Sequence, residues 1–443
     1  MNPPPPKDKI SKSLRNSIRD GICAGGMLGF THDYFTPFLL LLGGTAQHVG
    51  VLSSLPNFVA ALVQLNAADF TEKIKSRHKV ISIFILLQAL MLLPIAGLAL
   101  TGNNAPFLFI FLVTLFTAAG AFALPAWGSL MSDLVSERRR GDFFGRRNRI
   151  LGLAMVAATF AAGFILHLME KVNVYYGFAI IFVVACVFRL FSRYFLNQIY
   201  EMPLEHKKEH YFNLYMFFRR IKESNFAKFV LFVAVFNFCV FMASPFFAVF
   251  MLRELQFSYL KYTVITVTAT LTIYLLMGRW GRHADEVGNL KVLRMTAPII
   301  GILPFLWVVN HHPVWLFLVQ ITSGFAWAGF NLCASNFIYD AVTPEKRTRC
   351  IAYFNVMNGL ALCGGGLLGG FLIDILPPFN GYRILMLFMI SSILRLAVAL
   401  AIPRKLKEVR SVQHISSNKL FFSMIGIKPI LGNNRENPGV SEY

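Results

Sequence analysis

Twelve apolar runs, each close to the roughly 20 residues that cross a bilayer as a helix, dominate this chain of 443 residues. They fall at about 21–43, 48–70, 80–101, 106–130, 150–170, 175–196, 227–250, 259–279, 292–309, 313–339, 350–373 and 381–402. Backbone in hydrocarbon must satisfy its own hydrogen bonds, so each run reads as a helix, and the expected fold class is an all-α membrane protein of twelve transmembrane helices. Composition agrees, with 56% hydrophobic and 14% charged residues and a mean hydropathy of +0.57, well above a soluble domain. The 44 Phe, 32 Gly and 20 Pro suit lipid-facing helices with close contacts and kinks, and exclude a disordered or disulfide-built chain. Six cysteines lie one at a time, without the paired spacing of a zinc or redox centre, so neither metal nor cofactor is expected.

A formal charge of +20 would suggest nucleic acid in a soluble protein, but the positions of the basic residues answer differently. Loops on one side of the runs hold 36 Lys and Arg, and those on the other hold Lys171, Arg253 and Lys261. The positive-inside rule then puts both termini in the cytoplasm of a multi-pass cell-membrane protein, with the bilayer as partner and no nucleic acid. The expected segments are a cytoplasmic 1–20 without a signal peptide, a six-helix bundle over 21–196, a linker over 197–226, a second bundle over 227–402 and a tail over 403–443. Tyr211, Phe212, Leu214, Tyr215, Phe217, Phe218 and Ile221 give the linker the pattern of an amphipathic helix at the inner surface. A monomer is expected.

The chain repeats itself. DLVSERRRGDFFGRRNRILGLA from Asp133 aligns without a gap on DAVTPEKRTRCIAYFNVMNGLA from Asp340, pairing Asp133 with Asp340, Arg140 with Arg347 and Asn148 with Asn355. Thr36-Pro37-Phe38 likewise matches Ser244-Pro245-Phe246. Six helices are used twice in the same orientation, a transporter arrangement with its substrate site at the interface of the halves near the midplane.

Two loops then carry a resemblance to the major facilitator superfamily, whose signature after the second and eighth helices is Gly-x-x-x-Asp-Arg/Lys-x-Gly-x-Arg/Lys-Arg/Lys. GRHADEVGNLK supplies Gly281, Asp285, Gly288 and Lys291 in register, with Glu286 where the family prefers a base. ADFTEKIKSRHK is a degenerate copy with Ala68 and Lys75 in place of the glycines, Glu72 for the Asp, and Arg77 and His78 at its end; Asp69 takes the acidic role in another register. The resemblance implies that these loops latch the halves on the cytoplasmic face. A carboxylate there can pair with a basic helix start in the other half, and Arg140, Arg146, Arg147, Arg347 and Arg349 are the candidates.

Ionisable groups at bilayer depth are costly and default to function. Asp33 precedes Pro37 by four residues, so the proline, lacking an N–H, leaves the Asp33 carbonyl without its helical partner. Thr36 shares the region and His32 adjoins it, a group suited to taking up a proton or binding a cation. Asn57 and Gln64 are further midplane candidates, and the resemblance, by which helices one, four, seven and ten line the cavity, favours Trp127, Asn237, Trp327 and Asn331. Arg189 and Arg395 sit low in helices six and twelve, where they are expected to snorkel to the inner interface.

No nucleotide-binding or hydrolase motif occurs, and the loops are short, which argues against an enzyme. The expectation is a secondary active transporter moving a small organic solute of low net charge by alternating access, with protons as coupling ion through Asp33 and His32. A sodium-coupled or uncoupled facilitator, and a non-transporting sensor, stay open.

Overall fold

The computed structural model describes residues 7–135, 140–202, 224–342 and 344–409. The first half comprises α1 (Lys7–Thr31), α2 (Phe35–Leu41), α3 (Ala46–Ile74), α4 (Arg77–Thr101), α5 (Pro106–Leu134), α6 (Arg140–Met169) and α7 (Val174–Leu196). The second comprises α8 (Asn225–Phe241), α9 (Phe246–Val249) continued by a π turn (Phe250–Glu254), α10 (Tyr259–Val287), α11 (Asn289–Val309), α12 (Pro313–Ala341), α13 (Pro344–Ile375) and α14 (Arg383–Ala401). Eleven of the described spans are long and apolar enough to cross a membrane. The α1–α2 pair makes the twelfth crossing, and the charged residues 7–20, expected as a terminal segment, belong to the helix of α1. The expected amphipathic linker helix and the tail beyond residue 409 lie outside the described residues.

Local chemistry sets the helix starts. Thr45 accepts from the His48 N–H, and Ser76, Asn173, Ser224 and Ser258 cap α4, α7, α8 and α10 in the same way. The first and seventh spans, which read as continuous in the sequence, are each broken, at 32–34 and at 242–245. Pro37 and Pro245 lie at these breaks, so the Thr/Ser-Pro-Phe match in the two halves marks one structural event used twice.

Within each half the helices pack as a bundle, α1 against α6 and α7, and α8 against α13. The halves meet along two seams, α3 on α13 and α6 on α10. Small residues make the first seam. A Cβ on Gly50 would meet the Gly366 carbonyl and the Gly370 Cα, and one on Gly359 would meet the Ala61 methyl. Gly365 and Gly369 instead face α8 at Phe238 and Met242, closing the helices of the second half on its break.

The repeat is also visible where the chain turns at the end that carries Lys7 and Val409, the terminal end of the described chain. Gly288 precedes α11 at φ 89°, and Lys75 precedes α4 at φ 57°, so both copies of the loop keep a left-handed residue. This places Glu72 three residues before Lys75 as Asp285 is before Gly288. Glu201 accepts from the backbone N–H of Arg77 at 2.5 Å, and Glu408, 207 residues later, accepts from that of Leu290 at 2.7 Å. Asp133 takes the Arg77 guanidinium at 2.6 Å, whereas Asp340 takes the neutral Asn289 amide at 2.7 Å. The first loop thus holds its turn without glycine, at the steric cost of a left-handed side-chain-bearing residue. Lys75→Gly is expected to stabilise the protein by about 0.5–1 kcal/mol, the relief of that cost less the extra chain entropy of glycine. Thermal unfolding in detergent checks this, and a loss of stability would mean that the lysine side chain contributes more than its backbone costs.

Candidate functional site

Between the halves lies a cavity of about 800 Å³. The broken first span supplies one wall, with Thr31, His32, Asp33 and Thr36 at the break and Asp20 and Met27 toward the terminal end. Asp33 faces the cavity, and its carboxylate makes no hydrogen bond among the described residues; His32 beside it is exposed. The Asp33 carbonyl, deprived of a helical donor by Pro37, accepts from the Tyr262 hydroxyl of α10 at 2.6 Å. A bond from the other half thus fills the place of the missing helical one.

The neighbouring residue makes a second link. Tyr34 is fully buried, donates to the Thr159 carbonyl at 2.5 Å and shares a 2.9 Å hydrogen bond with the Thr263 hydroxyl of the other half. Further out, Arg253 donates to the Leu40 carbonyl, the Tyr259 N–H to Glu170, and the Gln47 amide to Asp374. All these cross-half bonds lie toward the end of the bundle away from the termini, which is closed. Tyr34, next to Asp33 in the chain, and Tyr262, bonded to its carbonyl, are both buried in that closure, so the carboxylate and the seal share one three-residue turn.

Toward the terminal end the wall carries a charged cluster. The Arg147 Nη2 meets Asp20 Oδ2 at 3.1 Å, its Nε donates to the Ser17 carbonyl, and its guanidinium lies 4.4 Å from the Trp127 ring centre. The Ser192 hydroxyl donates to Asp20 Oδ1 at 2.6 Å and accepts from Arg189 Nη1 at 3.1 Å. Arg189 is therefore buried and lines the cavity instead of snorkelling, because Ser192 and Asp20 offer it partners inside the bundle. Arg395, 2% exposed, does not snorkel either. It braces the end of α8 before the break, donating to the carbonyls of Cys239 and Val240 and to Ser391.

Of the residues chosen from sequence, Asp33, His32, Thr36, Asn57 and Trp127 line the cavity together. Asn237 does not; its amide donates to Asn358 at 2.6 Å and ties α8 to α13. Trp327 and Asn331 lie seven and eleven residues beyond the cavity-lining Gln320 on α12, on the same helical face but nearer the terminal end. Arg77 and Arg147 are both engaged inside the first half, so neither is placed to latch onto the second. Glu72 and Asp285 are exposed at the terminal end, Gly281 lies within α10, and Lys291 sits in the first turn of α11. The side chains of Arg140 and Arg347, expected opposite these acids, lie outside the described residues. Gln64 also lines the cavity, as does Arg189, which was expected at the interface, and Asp20, Gln88, Gln320 and Tyr262 do so without having been singled out. For Asp20 a signal existed, since Ala24, Met27 and Thr31 follow it at helical spacing on the same cavity-lining face.

The family model described as Major Facilitator Superfamily matches residues 22–309 and 229–434. Similar solved structures include the nucleoside transporter NupG, at 14% identity and TM-score 0.67, covering 92% of this chain and 100% of that one. A bacterial homologue of the human lysosomal transporter Spinster, inward-facing and unoccupied, is similar at 13% identity and TM-score 0.63, covering 92% and 100%. The human organic anion transporter MFSD10 is similar at 14% and 0.61, covering 89% and 99%. At these identities the likeness is one of fold. None of the curated proteins matches the chain in sequence.

Proposed function

The chain belongs to the major facilitator superfamily, and from that premise we propose that it is a secondary active transporter that moves a small organic solute by alternating access, coupled to protons at Asp33 with His32 beside it. The observation that carries this reading is the Asp33 turn, where an ionisable side chain faces the cavity while the backbone on which it stands is clasped by Tyr262 and, one residue on, by Tyr34. A change of charge on Asp33 acts at the point where the two halves are bonded together, which is what coupling a proton to an opening motion requires. The cavity's size suits a small organic solute, and the similar NupG and MFSD10 are a nucleoside and an organic anion transporter. With the termini cytoplasmic, the tyrosine clasp closes the external face.

A thermal-shift screen of metabolites and drugs against purified protein identifies a ligand, because specific binding stabilises the native state by mass action. In proteoliposomes that ligand should accumulate against its gradient when a proton gradient is imposed, and only equilibrate without one. Accumulation under a sodium gradient alone would overturn the proton assignment, and binding without flux would make the protein a sensor. The side assignment has its own check in a variant lacking the native cysteines. Cysteine at the exposed Arg282 should be labelled only from the cytoplasm, and at the exposed Asn103 only from outside; the reverse pattern would invert the topology.

A further inference from the structure

Arg189 and Arg395 occupy corresponding places 206 residues apart in the last spans of the two halves, and both are buried. Their surroundings differ. Every side of the Arg395 guanidinium meets protein, with Nε on Ser391 and the Cys239 carbonyl, Nη2 on the Val240 carbonyl and Nη1 on the Ile300 carbonyl. Arg189, nine-tenths buried, places Nη1 on the Ser192 hydroxyl, while its buried Nε has no hydrogen-bond partner. One arginine is consumed by the fold. The other lines the cavity and keeps a buried donor unmet.

Charge points the same way. The single Asp20 carboxylate serves two guanidinium groups, Arg147 directly and Arg189 through the hydroxyl of Ser192. This leaves the cluster with one positive charge in excess inside the bundle, a costly state unless an anion joins it. The same cluster holds a second unmet donor: the buried Trp127 Nε1–H, on the indole whose ring the Arg147 guanidinium overlies, has no partner. One excess positive charge with unmet N–H donors in the same cluster suits an acceptor group that carries a single negative charge. The rest of the cavity wall is mostly apolar, with Met27, Leu52, Val113, Phe116, Phe241 and Phe247 among its residues and Asn57, Gln64, Gln88 and Thr117 set between them.

We propose that Arg189, with the Arg147–Asp20–Ser192 chain and the Trp127 indole, forms an anion subsite that holds the carboxylate of an amphiphilic organic monoanion, whose apolar body lies along the cavity toward Asp33. The subsite names the chemical class of the solute and rests on the transport reading for that word alone; the binding itself does not depend on it. A polyanion is disfavoured because the excess is one charge and Asp33 faces its far end.

The test uses full-length protein in nanodiscs and a series of ω-phenylalkanoates of about four to eight carbons, each paired with its neutral primary amide, so that length covers the cavity and only charge differs within a pair. Equilibrium binding of at least one acid should be roughly ten-fold or more tighter than that of its amide, the size expected of hydrogen bonds to a charged group. Arg189→Gln should weaken that acid by roughly 10- to 100-fold and leave the amide unchanged. Arg189→Lys, which keeps the charge but loses the planar fork, should fold and retain part of the preference, and it carries the test should the glutamine variant not fold. Equal binding of acid and amide, binding of no acid in the series, or an acid preference that survives both substitutions would overturn the subsite. Acid binding that depends on Arg189 with no flux under any gradient would leave the subsite standing and remove transport. Proton-driven accumulation of the amide as readily as the acid would do the opposite.

Discussion

Asp33→Asn should abolish accumulation driven by a proton gradient while leaving ligand binding, and exchange of labelled for unlabelled solute, largely intact. Asparagine keeps the shape of the protonated acid but cannot release a proton, so the cycle loses its coupled step and retains its binding step. The backbone of the turn is unchanged by the substitution, and the Tyr262 bond to the carbonyl of residue 33 survives it. Asp33→Glu, which moves the acid by one methylene, should keep partial activity. Uptake and exchange in proteoliposomes, measured beside ligand-induced thermal stabilisation, separate this from a structural role, in which both variants express poorly and lose binding together. Should Asp33→Asn still concentrate solute on a proton gradient, the assignment passes to His32, which is exposed beside it.

The second large effect lies in the Asp20–Arg147 pair, both of whose side chains are less than a tenth exposed. Arg147→Met fills much of the same volume but leaves Asp20 a buried carboxylate with the Ser192 hydroxyl and the indirect charge of Arg189. The expected loss is about 3 kcal/mol, the usual scale for removing one partner of a buried pair. Adding Asp20→Asn removes the stranded charge, and the double variant should recover part of the stability, since the interaction and its desolvation penalty vanish together. Denaturant or thermal unfolding of the two single variants and the double completes the cycle. A double variant no more stable than Arg147→Met would show that the carboxylate is not stabilised by its arginine.

The twelve crossings, the two halves and the matched prolines were legible because each has a local cause, hydropathy over about 20 residues or an ungapped repeat, whereas the breaks at those prolines were not, since the apolar runs continue through them. The freed carbonyl of Asp33 was legible too, since Pro37 dictates it. What takes that carbonyl was not, because Tyr262 is 229 residues away and an ordinary aromatic in a run of Thr and Val. Asp20 was hidden by its company: Lys and Arg around it read as a solvated terminus, although helical phase carried it onto the cavity face. Arg189 was misjudged because depth along a span does not say which way a side chain turns, and a buried serine and carboxylate outcompete the interface as its partners. Arg77 lies in the loop expected to latch the halves, but its guanidinium is used at short range by Asp133, a pairing that the spacing of 56 residues did not announce.

The seam of small residues on α3 and α13 has a meaning for an amphiphilic cargo. Gly50 against Gly366 and Gly370, Ser54 against Gly366 and Ala61 against Gly359 bring the two helices together almost backbone to backbone. A lipid tail needs a cleft several ångströms wide, and contacts this close leave none. Molecules dissolved in either leaflet are therefore barred from slipping sideways between these helices into the cavity. Along that stretch the seam works as a lipid-tight gasket, so entry through it from the membrane core is closed and the cavity is served from elsewhere on the bundle.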